Sequence, residues 1–328
     1  METRTLGRTG RQVGVVGLGC WQLGGDWGNV DEGDALAVLH AAVESGVTFL
    51  DTADVYGDGR SEKLIGRFLA ERGRDGLVVA TKAGRRAQPH VPEAYSAENL
   101  RAWVDRSRAN LGLETLDLVQ LHCPPTPVYS TDAVFDALDG LVEAGAVAAY
   151  GVSVETVQEA LTAIARPNVA TVQIILNAFR RKPLEQVLPA AREAGVGIVA
   201  RVPLASGLLS GKYDETTTFA PDDHRTYNRH GEAFDVGETF AGVPYEVGVR
   251  AARDLAALVP GGASTAAFAL RWILDQDGVS VVIPGARNPE QARANAAAAD
   301  LPPVTPAQQD AVRRIYDELI REHVHDRW

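Results

Sequence analysis

Residues 116–144 read LDLVQLHCPPTPVYSTDAVFDALDGLVEA. Leu116–Leu121 is a short apolar run of strand length. After a turn, the apolar residues from Asp132 to Ala144 return at helical spacing. The same unit repeats on both sides. Strand candidates are Val15–Leu18, Thr48–Leu50, Leu77–Ala80, Leu116–Leu121, Ala148–Val152, Thr171–Ile175, Gly197–Ala200 and Ser280–Ile283. Helix candidates between them are Asp34–Ser45, Glu62–Leu69, Ala97–Leu111, Asp132–Ala144, Glu155–Ala165, Leu184–Ala194 and Tyr245–Leu258, and Pro289–Ala299 follows the last strand. Eight strand–helix units in 328 residues match an α/β protein of the single (β/α)8 TIM-barrel type in count and length. The strand runs are almost wholly apolar, as parallel strands are when both faces are covered. The alternative is an open doubly wound sheet. For a dinucleotide it needs a Gly-x-Gly-x-x-Gly turn after the first strand, and Gly17-Leu18-Gly19-Cys20-Trp21-Gln22 breaks that pattern at Gln22.

The ends add two elements. Thr3–Leu6, the turn residues Gly7–Gly10 and Val13–Val16 predict an N-terminal β-hairpin. Asn288-Pro289-Glu290-Gln291 supplies a cap, a proline at the first helical position and a glutamine at the third. Thr305-Pro306-Ala307-Gln308 repeats the device and opens an extra C-terminal helix to about Ile320. Residues 1–328 are therefore read as one barrel domain. The connection from Leu204 to Gly242 is long and polar, a length that in compact domains signals function or disorder.

Formal net charge is −11, which argues against non-specific nucleic-acid binding and against docking on an anionic membrane. There is no signal-peptide pattern and no membrane-spanning apolar run, and two cysteines make no disulfide framework. A cytoplasmic protein is expected. Asp222, Asp223, His224 and His230 match no usual metal-ligand spacing, so no metal is expected. Oligomeric state leaves no mark in the sequence.

In a barrel, chemistry sits where strands end. Three consecutive runs end in Asp51, Lys82 and His122, and Tyr56 lies in the loop after Asp51. Together they suggest hydride transfer to a carbonyl. The developing alkoxide needs a proton; a phenol gives one up more readily beside an ammonium. A buried ammonium in turn needs a carboxylate, and an imidazole can hydrogen-bond the carbonyl oxygen.

At this point the chain resembles the aldo-keto reductases over essentially its whole length. The resemblance is carried by Gly17-Leu18-Gly19-Cys20-Trp21, Asp51-Thr52-Ala53-Asp54-Val55-Tyr56-Gly57, Thr81-Lys82, Leu121-His122, Gly151-Val152-Ser153, Val172-Gln173…Asn177, Pro203-Leu204-Ala205-Ser206-Gly207…Gly211-Lys212-Tyr213 and Ile283-Pro284-Gly285-Ala286-Arg287…Asn295. It implies a catalytic tetrad of Asp51, Tyr56, Lys82 and His122, with Tyr56 as general acid. It also implies NADPH, with NADH possible, lying across the barrel mouth. Ser153 and Gln173 match the positions that hold the nicotinamide carboxamide, and Cys20 sits beside its ribose. Pro203, Leu204, Ser206 and Gly207 match the loop over the pyrophosphate. Arg287, Gln291 and Asn295 match the surroundings of the adenosine and its 2′-phosphate. Trp21 is placed in the substrate pocket, for a small carbonyl or sugar. Two positions depart from the family pattern. Val154 replaces an asparagine, and Arg201 replaces a tyrosine that stacks on the nicotinamide, a role a guanidinium plane can also fill. The competing functions are a cofactor-binding regulatory subunit on the same fold and a lyase using Lys82 as a Schiff base.

Overall fold

The computed structural model describes residues 1–24 and 30–328. A two-stranded antiparallel hairpin comes first, β1 (Thr3–Thr5) and β2 (Gln12–Gly14). Eight parallel strands follow: β3 (Leu18–Gly19), β4 (Phe49–Asp51), β5 (Val78–Ala83), β6 (Leu118–His122), β7 (Tyr150–Ser153), β8 (Val169–Ile175), β9 (Gly197–Arg201) and β10 (Val279–Val282). They pair in sequence order from β3 to β10. Parallel bridges Val16↔Val282 and Gly19↔Gly285 join the first strand to the last and complete the barrel. The expected (β/α)8 fold is the observed one. At that seam a Cβ on Gly19 would stand 2.9 Å from the carbonyl oxygen of Ile283, so glycine lets the strands meet.

The helices are α1 (Glu32–Glu44), α2 (Arg60–Arg72), α3 (Ala97–Leu111), α4 (Asp132–Glu143), α5 (Val157–Ile164), α6 (Val187–Ala194), α7 (His224–Tyr227), α8 (Tyr245–Ala256), α9 (Thr265–Leu274), α10 (Pro289–Ala297), α11 (Pro306–Ile315) and α12 (Arg321–Val324). None of the described helices is long and apolar enough to cross a membrane. Both proline-marked starts form as read. Asn288 accepts from Gln291 N, and Thr305 and Gln308 make a full capping box. The Gln291 side chain, however, reaches back to Arg287 N rather than to the cap itself. The C-terminal helix passes through a π-helical turn, Tyr316–Ile320, before α12.

Two elements differ from the sequence reading, and a third was left open by it. The regular first barrel strand begins at Leu18; before it, Val15 N donates to Glu2 O beside the hairpin while Val15 O accepts from Val282 N of β10. Helix α9 was not foreseen. Its Phe268, Ala269, Leu270, Trp272, Ile273 and Leu274 are all buried, so it lacks the polar stripe that marks an amphipathic helix. The long polar connection, read as functional or disordered, is ordered. Asn228 is fully buried, accepting from Ala233 N and Phe234 N and donating to Thr239 Oγ1.

Strand side chains alternate between faces, and this sets the barrel interior. Phe49, Val78, Ala80, Leu118, Val199 and Val281 form an apolar plug with Leu6 and Val13 of the hairpin. Two residues further along β4, β5 and β6, the same inward face carries Asp51, Lys82 and Gln120. The hairpin therefore seals one end, and the polar layer faces the other.

Just past β4, Asp54 is fully buried, and neither carboxylate oxygen has a hydrogen-bond partner among the described residues. Burial first, then Glu62, push its carboxyl up to about 7, against the pull of Arg86 and Arg106. The unfolded chain releases this proton near the ordinary value of about 3.9. Stability therefore falls as pH rises from about 4 towards the folded value of about 7. Asp54→Asn abolishes that loss. Relative to the natural chain, the variant should gain roughly 2–4 kcal/mol of unfolding free energy on moving from about pH 4 to about pH 8. Denaturant unfolding at both pH values checks this; a difference that does not change with pH refutes it.

Candidate active site

The polar layer is organised around one carboxylate. Asp51 Oδ1 accepts from Lys82 Nζ at 2.5 Å, and Oδ2 accepts from Gln173 Nε2 at 2.8 Å and from Gln120 Nε2 at 3.2 Å. Lys82 also donates to Thr52 O and lies 3.2 Å from the Tyr56 hydroxyl. The His122 ring stands perpendicular to that of Tyr56, with centroids 5.9 Å apart. The four residues expected to act together are thus brought together. Lys82 is held charged: burial opposes the ammonium, but Asp51 and then Tyr56 outweigh it, and the pKa rises. His122 is neutral, because burial and then Arg85, Lys82 and Arg201 hold its pKa well below the usual value.

One electrostatic expectation is reversed in net effect. Lys82 does pull the Tyr56 phenol down, but burial outweighs it, with Asp51 and Glu238 adding to burial, and the pKa stands above the ordinary value. In the protein without ligand, Tyr56 is a protonated acid at every neutral pH.

These residues form one end of a cavity of about 470 Å³. All the expected site residues line it: Cys20, Trp21, Asp51, Tyr56, His122, Ser153, Gln173, Arg201, Pro203, Leu204, Ser206, Gly207, Arg287, Gln291 and Asn295, except Lys82, which lies buried within reach of the Tyr56 hydroxyl. Several are already engaged. Gln173 spends its Nε2 on Asp51 and Gln120, so a carboxamide contact would fall to its Oε1. Arg201 is tied to Glu155 at 2.8 Å and to Val154 O at 3.1 Å. Val154, the departure from the family pattern, therefore serves Arg201 through its backbone. Asn295 Nδ2 donates to Gly285 O, and Ser206 Oγ accepts from Phe240 N.

Sequence reasoning missed Lys212, Arg225 and Glu238, which also line the cavity. Lys212 sat in the quoted Gly211-Lys212-Tyr213 motif without a role; Arg225 and Glu238 had no local signal. Lys212, Arg225 and Arg287 add three cations to the lining. Asp223 pairs with Arg225 and lies 3.8 Å from Arg287. His224 is buried against the Trp21 ring, 4.9 Å away. Asp223 and His224 are thus taken up by other contacts. Among the described residues the grouping with metal-ligand spacing is Cys123, Glu155 and Glu238, and Arg85 and Arg201 already occupy those carboxylates.

The cavity suits an elongated anion-bearing cofactor. Its lining carries both an acid–imidazole pair and cations, and glycine opens its wall. A Cβ on Gly207, whose φ is +99°, would stand 2.3 Å from the Tyr213 hydroxyl. Val202 and Cys123, both just past strand ends, hold φ of +51° and +44°. Such strain clusters at functional sites.

A family profile described as the Aldo/keto reductase family matches residues 15–317. The chain is 32% identical over 301 residues to aldo-keto reductase YhdN of Bacillus subtilis, covering 90% of this chain and 87% of that one. Among solved structures it is similar to the glycerol dehydrogenase AKR11B4 from Gluconobacter oxydans, with TM-score 0.76 and 31% identity over 95% of this chain and 93% of that one. It is also similar to the holo form of an aldo-keto reductase from Bacillus halodurans, with TM-score 0.77 and 25% identity over 96% of each chain.

The buried pair makes its own prediction. Lys82→Met leaves Asp51 charged and unmatched, which should cost about 3–5 kcal/mol of stability. Adding Asp51→Asn removes the stranded charge and should restore most of it. Urea unfolding of the single and double variants is the measurement. Equal stability of the two means that Lys82 and Asp51 are not coupled.

Proposed function

The chain belongs to the aldo-keto reductase family, and from that premise we propose that it reduces an aldehyde or ketone, or oxidises the corresponding alcohol, with Tyr56 as the general acid. The observation that carries this is the line Asp51–Lys82–Tyr56 set beside a neutral His122 at the floor of the long cavity. A bound reduced nicotinamide supplies the hydride. His122 hydrogen-bonds the carbonyl oxygen through a ring N–H and fixes its position. As the carbonyl carbon gains the hydride, the C=O π pair moves onto oxygen, and Tyr56 gives its hydroxyl proton there. The phenolate left behind is stabilised by Lys82 Nζ, and Tyr56 recovers a proton from water. Asp51 holds the ammonium in place throughout. Ser153 and the Gln173 Oε1 are suited to the carboxamide, Arg201 to the face of the ring, and the loop from Pro203 to Gly207 to the pyrophosphate.

Tyr56→Phe keeps the ring and removes the proton. It should lower kcat for carbonyl reduction by about 10²–10⁴-fold, with cofactor Kd near that of the natural chain. Following NADPH absorbance over a panel of aldehydes and ketones, with cofactor fluorescence for binding, tests both halves. Unchanged turnover in the variant refutes the assignment.

The cofactor we propose is NADPH, preferred over NADH. The two differ by one phosphate, so discrimination needs groups that meet that phosphate. Arg287 stands just before the N-terminus of α10, a helix end that itself favours an anion. A guanidinium there can make paired, charge-assisted bonds to a phosphate, and Lys212 lines the same cavity. Arg287→Ala should lower kcat/KM with NADPH by about 10-fold or more, the size of one charge-assisted bond, and leave NADH use nearly unchanged. Equal losses with both cofactors would make Arg287 a structural residue.

A further inference from the structure

Glu238 has no part in the reaction as derived, yet it lines the same cavity as Tyr56 and His122. It lies on the loop between β9 and α8. Arg85 Nη2 donates to its Oε1 at 2.8 Å, while Arg201 Nη1 lies 3.7 Å from Oε2, beyond hydrogen-bond distance. Glu155 adds a side-chain hydrogen bond to the same carboxylate, which is thus held from two directions and keeps only part of its acceptor capacity. It is also ionised: burial opposes the charge, but Arg85 and Arg201 hold its pKa low. The aromatic side of the site is different in kind. The Trp21 ring lies 6.0 Å from that of Tyr56 and 5.8 Å from that of Phe234. The site therefore has an aromatic wall made by Trp21, with Phe234 packed against it, and a fixed anionic acceptor lining the same cavity as Tyr56 and His122.

We propose that Glu238 is a specificity-determining residue that accepts a hydroxyl from the substrate, so that the site favours small hydroxylated aldehydes and ketones over carbonyl compounds without hydroxyls. The inference rests on the reductase reading above and deepens it. A hydroxyl next to a carbonyl is a donor that Glu238 can use, while the C–H edges of the same carbon chain lie against Trp21. A plain aldehyde of equal length offers no donor and leaves a buried carboxylate facing apolar carbon, which is costly. Arg85 and Glu155 take part indirectly. Arg85 bridges Glu238 to Glu155, at 2.8 and 3.4 Å, and so keeps the loop carboxylate against the barrel.

Glyceraldehyde and propanal are the probes, matched in carbon number and differing only in hydroxyls, with benzaldehyde as a third. For the natural chain, kcat/KM for glyceraldehyde should exceed that for propanal by about 10- to 100-fold, the size of one or two bonds to a charged acceptor. Glu238→Ala should bring the ratio close to one. Glu238→Gln, which keeps an oxygen at the same reach, should leave it between the two. The ratio is the readout, because a general loss of folding or of turnover lowers both rates together. A natural-chain ratio near or below one refutes the proposal without any variant, as does a Glu238→Ala variant in which both rates fall by one factor. If benzaldehyde or propanal is reduced and glyceraldehyde is not, the hydroxyl reading falls and the reductase reading stands. If no carbonyl compound is reduced with either cofactor, both fall.

Discussion

The ion pair between Lys82 and Asp51 is the constraint on which the rest of the site depends. Both residues are almost fully buried, and a buried charge is tolerated only when paired and hydrogen-bonded. The pair thus dictates its own surroundings. Asp51 comes from β4 and Lys82 from β5. The remaining carboxylate capacity is met by Gln120 from β6 and Gln173 from β8. Four strands are therefore tied by side chains across the barrel interior, in addition to their backbone ladders. A register slip of one residue in any of them would turn its polar group to the helix side and leave the carboxylate short of a partner. The same network points the third proton-bearing direction of Lys82 at the Tyr56 hydroxyl. The Tyr56 hydroxyl, on the loop after β4, is thus placed by the requirement to satisfy a buried charge.

What was legible in the sequence follows from this. Asp51, Lys82 and His122 could be found because each ends an otherwise apolar strand, where a polar residue stands out against its neighbours. The barrel was legible for a related reason: its strands and most helices differ in period. Helix α9 was not, because a helix buried on all sides has no period to read. Glu238, Arg225 and Asn228 were not either. They lie in a long polar connection with no period to read, and their burial is decided by what the loop packs against. The net shift on Tyr56 was also out of reach. Spacing shows that a lysine is near; only the folded interior shows that burial outweighs it.

The division between barrel and loop has a chemical consequence. Strand ends supply groups whose positions are fixed by the ladder, and these suit a reaction that is the same for every substrate. The loop from 205 to 242 adds Arg225 and Glu238 to the cavity lining, with Asp223 alongside, and its ends are stitched to each other. Ser206 Oγ donates to Glu238 O and accepts from Phe240 N. Trp328, from the far end of the chain, donates to Asp235 and packs against Gly242. The loop is thus held at several points without a regular element of any length.

Backbone strain is distributed in the same way. The described non-glycine residues with positive φ are Asp58, Cys123, Val202, Ala205, Ser206, Phe240 and Ala241. All lie beyond strand ends on the cavity side or at the two ends of the long loop, and none lies in the barrel strands. For Val202, branched at Cβ, such a conformation is a true outlier. Strain of this kind persists only where its surroundings over-determine it, and they do: Asn177 Nδ2 donates to Val202 O, and Ala205 N donates to the same oxygen. That turn carries the chain from Arg201, which stays in the barrel mouth, to Leu204 and Ser206, which line the cavity further out. A relaxed, extended exit would carry the loop straight off the rim. The strain at Val202 is what folds it back across the opening, where its carboxylate can meet Arg85 and Arg201.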